Sequence, residues 1–100
     1  MLTVDEIKLY LRVDESEEDN LIKTLEEFSR EEIEESTGAS YELYKEDKLY
    51  RLAQLMIITD RYENRGSQDI QFRANNALSG IYTKLKCKVA IYEEESGEQA

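Results

Sequence analysis

One hundred residues carrying 23 Asp and Glu against 13 Lys and Arg, a net charge of −10, make one small acidic domain with room for a single core. With no His and a lone Cys87, the chain lacks the groups for a four-ligand zinc site, a His-assisted nucleophile or an internal disulfide, and four scattered glycines form no phosphate loop. No carboxylate pair stands out by spacing, so no enzyme, metal or cofactor is expected; the longest apolar run, Leu55 to Ile58, is far short of the about 20 residues that span a bilayer, and the first residues lack the pattern of a signal peptide, so no membrane partner is expected, and a location inside a cell or in an assembly made there is.

The first element is announced by Thr3 and Glu6, a capping box in which each side chain satisfies the other's free amide, with Leu2 and Ile7 placed as a hydrophobic staple. The spacing predicts a helix over 4–12 with Ile7, Tyr10 and Leu11 as its buried stripe. Ser16 with Asp19 starts a second helix over 17–37, the acidic first turn suits the positive end of the dipole, and Gly38 is a natural left-handed stop. Leu21, Ile22, Leu25, Phe28 and Ile33 share its inner face, continued by Ser29 and Ser36. The remaining surface carries Glu26, Glu27, Glu31, Glu32, Glu34 and Glu35 against only Lys23 and Arg30. It reads either as a solvated face or as a contact surface for the cations of a neighbour, with Glu27, Glu31 and Glu34 as candidate contacts.

Residues 39–44 form a short connection whose two tyrosines and Leu43 are expected to pack down. A third helix is predicted over 45–65, apolar on nearly all sides from Leu52 to Thr59, as befits a central helix, and stopping at Gly66. A fourth is predicted over 70–86, with Phe72, Ala77, Leu78, Ile81, Tyr82 and Leu85 inward; Ala74, Ala77 and Gly80 are small enough to admit another backbone. Cys87 to Tyr92 alternates with a period of two and is rich in strand formers, so 87–92 reads as an extended arm, lying on the body or adding to a strand of another protein through Val89 and Ile91. The acidic 93–100 is expected to be disordered. The fold class is thus all-α, a bundle of about four helices over 1–86 followed by an arm and a tail.

Charge is unevenly placed. Residues 1–48 hold 6 cations and 16 anions, 49–92 hold 7 and 3, and 93–100 add four carboxylates. A chain with an acidic half and a mildly basic half can complement copies of itself head to tail, the heterologous contact that closes into rings.

The opening Leu2-Thr3-Val4-Asp5-Glu6-Ile7-Lys8, the Leu11-Arg12-Val13-Asp14 that closes the first helix, and the Ser36-Thr37-Gly38 that ends the second resemble the phage head-tail connector family. So does Tyr62-Glu63-Asn64-Arg65-Gly66, closing a long apolar helix ahead of a last amphipathic one. The resemblance covers about residues 2–86; the absence of Pro, near 40–45 and 69–72, departs from many relatives. It implies a structural virion protein, present in the host cytoplasm during assembly, that docks as a ring beneath the portal protein after DNA packaging. Such a ring, twelvefold if it follows the portal, extends the DNA exit channel and receives the stopper or tail-completion protein.

An acidic subunit fits that role, because DNA must slide through without the many Lys and Arg contacts that tight phosphate binding needs. Arg51, Arg61, Arg65 and Arg73 are candidate contacts between copies or with the portal. Tyr62, Glu63, Asn64 and Arg65 either close the end of the helix or reach into the next subunit. The alternative reading is an acidic DNA mimic that binds a basic nucleic-acid-binding protein through the carboxylates of the second helix.

Overall fold

The computed structural model describes residues 2–14, 16–63 and 76–97. Within them the chain is all-helical: α1 (Val4–Leu11), a 3₁₀ turn (Ser16–Glu18), α2 (Asp19–Thr37), the single turn α3 (Tyr41–Tyr44), α4 (Lys48–Glu63) and α5 (Asn76–Gly97).

The capping box forms as expected: the Glu6 amide donates to Thr3 Oγ1 at 3.2 Å, and the Thr3 amide donates to Glu6 Oε1 at 3.3 Å. Leu2 and Ile7 are both buried beside it. Arg12 ends α1 in the left-handed region at φ 61°, a conformation that costs a non-glycine residue about 1–2 kcal/mol. The Val13 amide repays part of this by closing on the Lys8 carbonyl at 2.9 Å. Ser16 does not cap α2 directly; it opens the 3₁₀ turn, and α2 begins one turn later. At the other end Gly38 turns left-handed at φ 81°, its amide bonding to the Glu34 carbonyl, while Thr37 Oγ1 accepts from the Ala39 amide at 3.1 Å. Lys45 and Glu46 form a turn rather than helix. α4 starts after Asp47, whose Oδ1 accepts from the amides of Leu49 (2.8 Å) and Tyr50 (3.3 Å).

α2 and α4 form the central pair. Ile22 clusters with Ile58, Glu26 bonds to Gln54, and Ile33 clusters with Tyr50, so rising numbers on one helix meet falling numbers on the other and the pair is antiparallel. α1 covers one part of it, burying Leu2 and Ile7 with Ile22 and Ile58. α5 covers another, and Leu78, Ile81, Leu85 and Val89 join Ile33, Ala39, Tyr50, Ala53 and Ile57. These four α5 positions recur every three or four residues, the period of a helix with one buried stripe.

Several expectations need correction. The strand-like arm over 87–92 is helix, as is the tail through Gly97. Alternation over six residues also fits a helical stripe, and Val89, one turn after Leu85, completes that stripe and lies 3.5 Å from where a Cβ on Gly38 would stand. Tyr10 is not part of the buried stripe of α1 and Leu43 does not pack down; both are more than half exposed. Leu52 is exposed, so α4 is not covered all round. Ala77 is exposed, and nothing approaches Gly80 within 4 Å. Glu26 leaves the acidic surface altogether and is buried. The expected stop at Gly66 and the helix start near 70, with Phe72 and Ala74, lie outside the described residues.

Candidate functional site

The buried line of α2 is Ile22, Glu26, Ser29, Ile33 and Thr37, and its two middle members are polar. They are met by Gln54, wholly buried on α4, whose Nε2 donates to Glu26 Oε2 at 2.8 Å and to Ser29 Oγ at 3.0 Å. Arg30 grips the same carboxylate from the side, with Nε to Oε2 at 2.8 Å and Nη2 to Oε1 at 2.6 Å, and lies 3.7 Å above the centre of the Tyr41 ring. Tyr41 in turn tilts against Tyr50, ring centres 6.2 Å apart. The Tyr50 hydroxyl is buried without a partner, and burial, foremost, pushes its pKa up. Burial likewise pushes Tyr82 up to about 12, with Ser36 easing the rise and Glu32 adding to it. This network fixes α2 against α4 and is internal to the fold. Sequence reading missed it, although Glu26 falls on the 22–33 stripe and Gln54 is the one amide in an apolar stretch.

The outer faces carry the features suited to contact. Glu27, Glu31 and Glu34 are exposed, one helical turn apart, on the side of α2 opposite its buried line. Arg51 spans α4 to α1, its Nη2 donating to Glu6 Oε2 at 2.6 Å. The Thr3 amide, foremost, and Arg51 hold the Glu6 carboxyl below its ordinary range against some burial. Arg61 stacks over Phe28 at 5.0 Å. Two of the four candidate arginines thus hold helices of their own chain together. Tyr62 is half-buried and Glu63 exposed at the last described turn of α4; Asn64, Arg65 and Arg73 lie outside the described residues. Val89 is buried under Gly38, whereas Ile91, two residues on, is exposed.

A groove between α1 and α4 was not anticipated. Leu2, Leu9, Tyr10, Leu52 and Leu55 line it, with Glu6, Arg51 and Lys48 among its walls. The signal for it lay in α1, a two-turn helix with more apolar residues than one buried face can absorb. Among the described residues no three carboxylates or thiols converge as a metal site, no helix is long and apolar enough to cross a membrane, and Cys87 is a free, exposed thiol.

A small helical bundle whose outward features are an acidic helix face and an apolar groove has the architecture of a protein–protein interaction module. The family model for the phage gp6-like head-tail connector protein matches residues 1–89, and the chain belongs to that family. Comparison with curated proteins and with solved structures returns no match. Membership makes the chain a structural component of a phage particle, acting through contact with other virion proteins. The match runs through Val89 and so takes in both core clusters.

Proposed function

We propose that copies of this chain dock as a ring beneath the portal once DNA is packaged, extend the exit channel, and present a platform to the stopper or tail. The observation that carries the reading is the family match over 1–89. The surface of α2 supports it physically. Glu27, Glu31 and Glu34 form a carboxylate stripe that no cation of the chain neutralises in the described residues, and a wall of that kind repels a sliding duplex rather than gripping it. The ring takes its symmetry, twelvefold, from the portal, and the protein waits in the host cytoplasm until heads are full.

Electron microscopy of particles from the parent phage with this reading frame disrupted tests the proposal. Tailless heads that packaged DNA and then lost it are expected. Normal tailed, infectious particles would overturn the reading and turn attention to a basic host target for the α2 stripe.

A further inference from the structure

Among the described residues two apolar surfaces stand uncovered, and each complements the other rather than itself. The first is the α1–α4 groove, where Leu9, 80% exposed, stands with Tyr10 and Leu52 above Leu2 and Leu55. Its charged walls are Lys48, Arg51 and Glu6, two cations to one anion in a chain of net charge −10. Arg51 is taken by Glu6, which leaves the exposed Lys48 to meet an anion from outside.

The second surface is the end of α5. Ile91, 57% exposed, and Tyr92 are followed at once by Glu93, Glu94 and Glu95, all exposed. Burial, foremost, lifts the Tyr44 pKa on α3, and Tyr92, Asp47 and Glu93 lift it further against Lys88. Lys88 anchors this end of α5 to Asp47 at 2.6 Å. An apolar pair leading into three carboxylates is the chemical counterpart of an apolar groove with a free lysine on its wall.

The two surfaces cannot meet within one chain. At about 100° per residue, Leu52 and Leu55 lie roughly 150° around α4 from Ala53 and Ile57, which share the core with Leu85 and Val89 of α5. A helix continuous to Gly97 and tied down at Lys88 does not bend back around α4.

We propose that the end of α5 in one copy seats in the α1–α4 groove of the next, with Ile91 and Tyr92 against Leu9, Tyr10 and Leu52 and with Glu93 to Glu95 beside Lys48. The contact is heterologous: each copy gives its α5 end to one neighbour and its groove to another, so the contact repeats around a ring. It rests on the ring reading above and adds which surfaces meet. A patch of a few side chains is well below the about 800 Å² per partner of a standard stable interface, so free chains associate only weakly and a docking platform must gather them.

Cysteine crosslinking reads such a weak contact. In full-length chains carrying Cys87→Ser, a tagged chain with Leu9→Cys is mixed at high concentration with an untagged chain carrying Ile91→Cys, and a short bismaleimide is added. The mixed pair should crosslink about tenfold faster than Leu9→Cys with itself, Ile91→Cys with itself, or Leu9→Cys with Lys84→Cys on the exposed side of α5. Equal rates for all pairs would overturn the proposal. Adding Leu52→Asp to the Leu9→Cys chain should bring the mixed rate down to the control rate, provided circular dichroism shows it folded; an unchanged rate in the folded variant also overturns it. Blotting purified heads for the chain separates the two readings. A chain absent from heads removes the connector role and leaves the crosslink result standing, whereas a chain present in heads without the selective crosslink removes this interface alone.

Discussion

Replacing Gln54 by Ala should lower folding stability by about 2–4 kcal/mol, and much of that loss should disappear when Glu26 is already Ala. The hydrogen bond from Gln54 Nε2 to the Glu26 carboxylate is charge-assisted, and bonds of that kind contribute about 1.5–3 kcal/mol. Truncating a wholly buried side chain leaves a void worth a further about 1–2 kcal/mol. Against this, Gln54 Oε1 is buried with no partner, and its removal returns about 1 kcal/mol. Glu26→Ala alone should cost less, because Arg30 is part-exposed and regains water while Gln54 keeps Ser29. Urea unfolding of the wild type, both single variants and the double variant, at micromolar chain concentration, gives the coupling directly, and about 1.5–3 kcal/mol is expected. A coupling under about 0.5 kcal/mol would refute the reasoning, for Glu26 would then be one more solvated carboxylate on α2.

Ending the chain after Lys86 removes the buried Val89 and the Lys88–Asp47 pair and should cost about 2–4 kcal/mol; a truncated chain that melts with the full-length one would reinstate an independent arm. Burial works against the charge of Asp47, but Lys88 and the amides of Leu49 and Tyr50 outweigh it, so its carboxyl titrates below its ordinary range. A group depressed in this way contributes stability that is fully present above its unfolded pKa and is lost as pH falls through the folded one. Unfolding free energy should therefore decline on acidification below about pH 4, and Lys88→Ala should make the decline shallower; parallel curves for the two chains would remove the pair from the account. Tyr50→Phe deletes a buried hydroxyl without a partner and should leave stability unchanged or raise it by up to about 1 kcal/mol, whereas a loss above that in urea unfolding would mean the hydroxyl is bonded.

What the sequence revealed was local. The capping box at Thr3 and Glu6 and the stop at Gly38 are decided by residues three or four apart, and both hold in the fold. The order of the long helices followed from apolar spacing, and the connector family from short motifs at helix ends. What it concealed depended on partners distant along the chain. Whether Glu26 joins the acidic surface or the core is settled by Gln54, 28 residues away. Whether Cys87 to Tyr92 is strand or helix is settled by what Val89 meets at Gly38. In α1, spacing placed Ile7 inside but had no means to expose Tyr10, since two turns of helix leave the choice of face to the neighbours. Of the candidate contacts, Glu27, Glu31, Glu34 and Ile91 face outward, while Arg51, Arg61 and Val89 are engaged in their own chain.

That last division changes the meaning of the charge asymmetry. An acidic first half and a basic second half suggested attraction between copies, yet in the fold the two halves already lie against each other. Arg51 on α4 holds Glu6 on α1, Lys88 on α5 holds Asp47, and Arg61 on α4 covers Phe28 on α2. Each exposed ion pair contributes at most about 1 kcal/mol to a seating that the apolar clusters set, but together they draw down the supply of free cations. The outer surface is left with carboxylates in excess, and carboxylates facing carboxylates repel. The ring proposed above is therefore one whose copies adhere through apolar contact, which Leu9, Leu52 and Ile91 offer, with cations such as Lys48 selecting the orientation. On that proposal, a small adhesive surface on an otherwise acidic body leaves free subunits apart until a docking platform raises their local concentration.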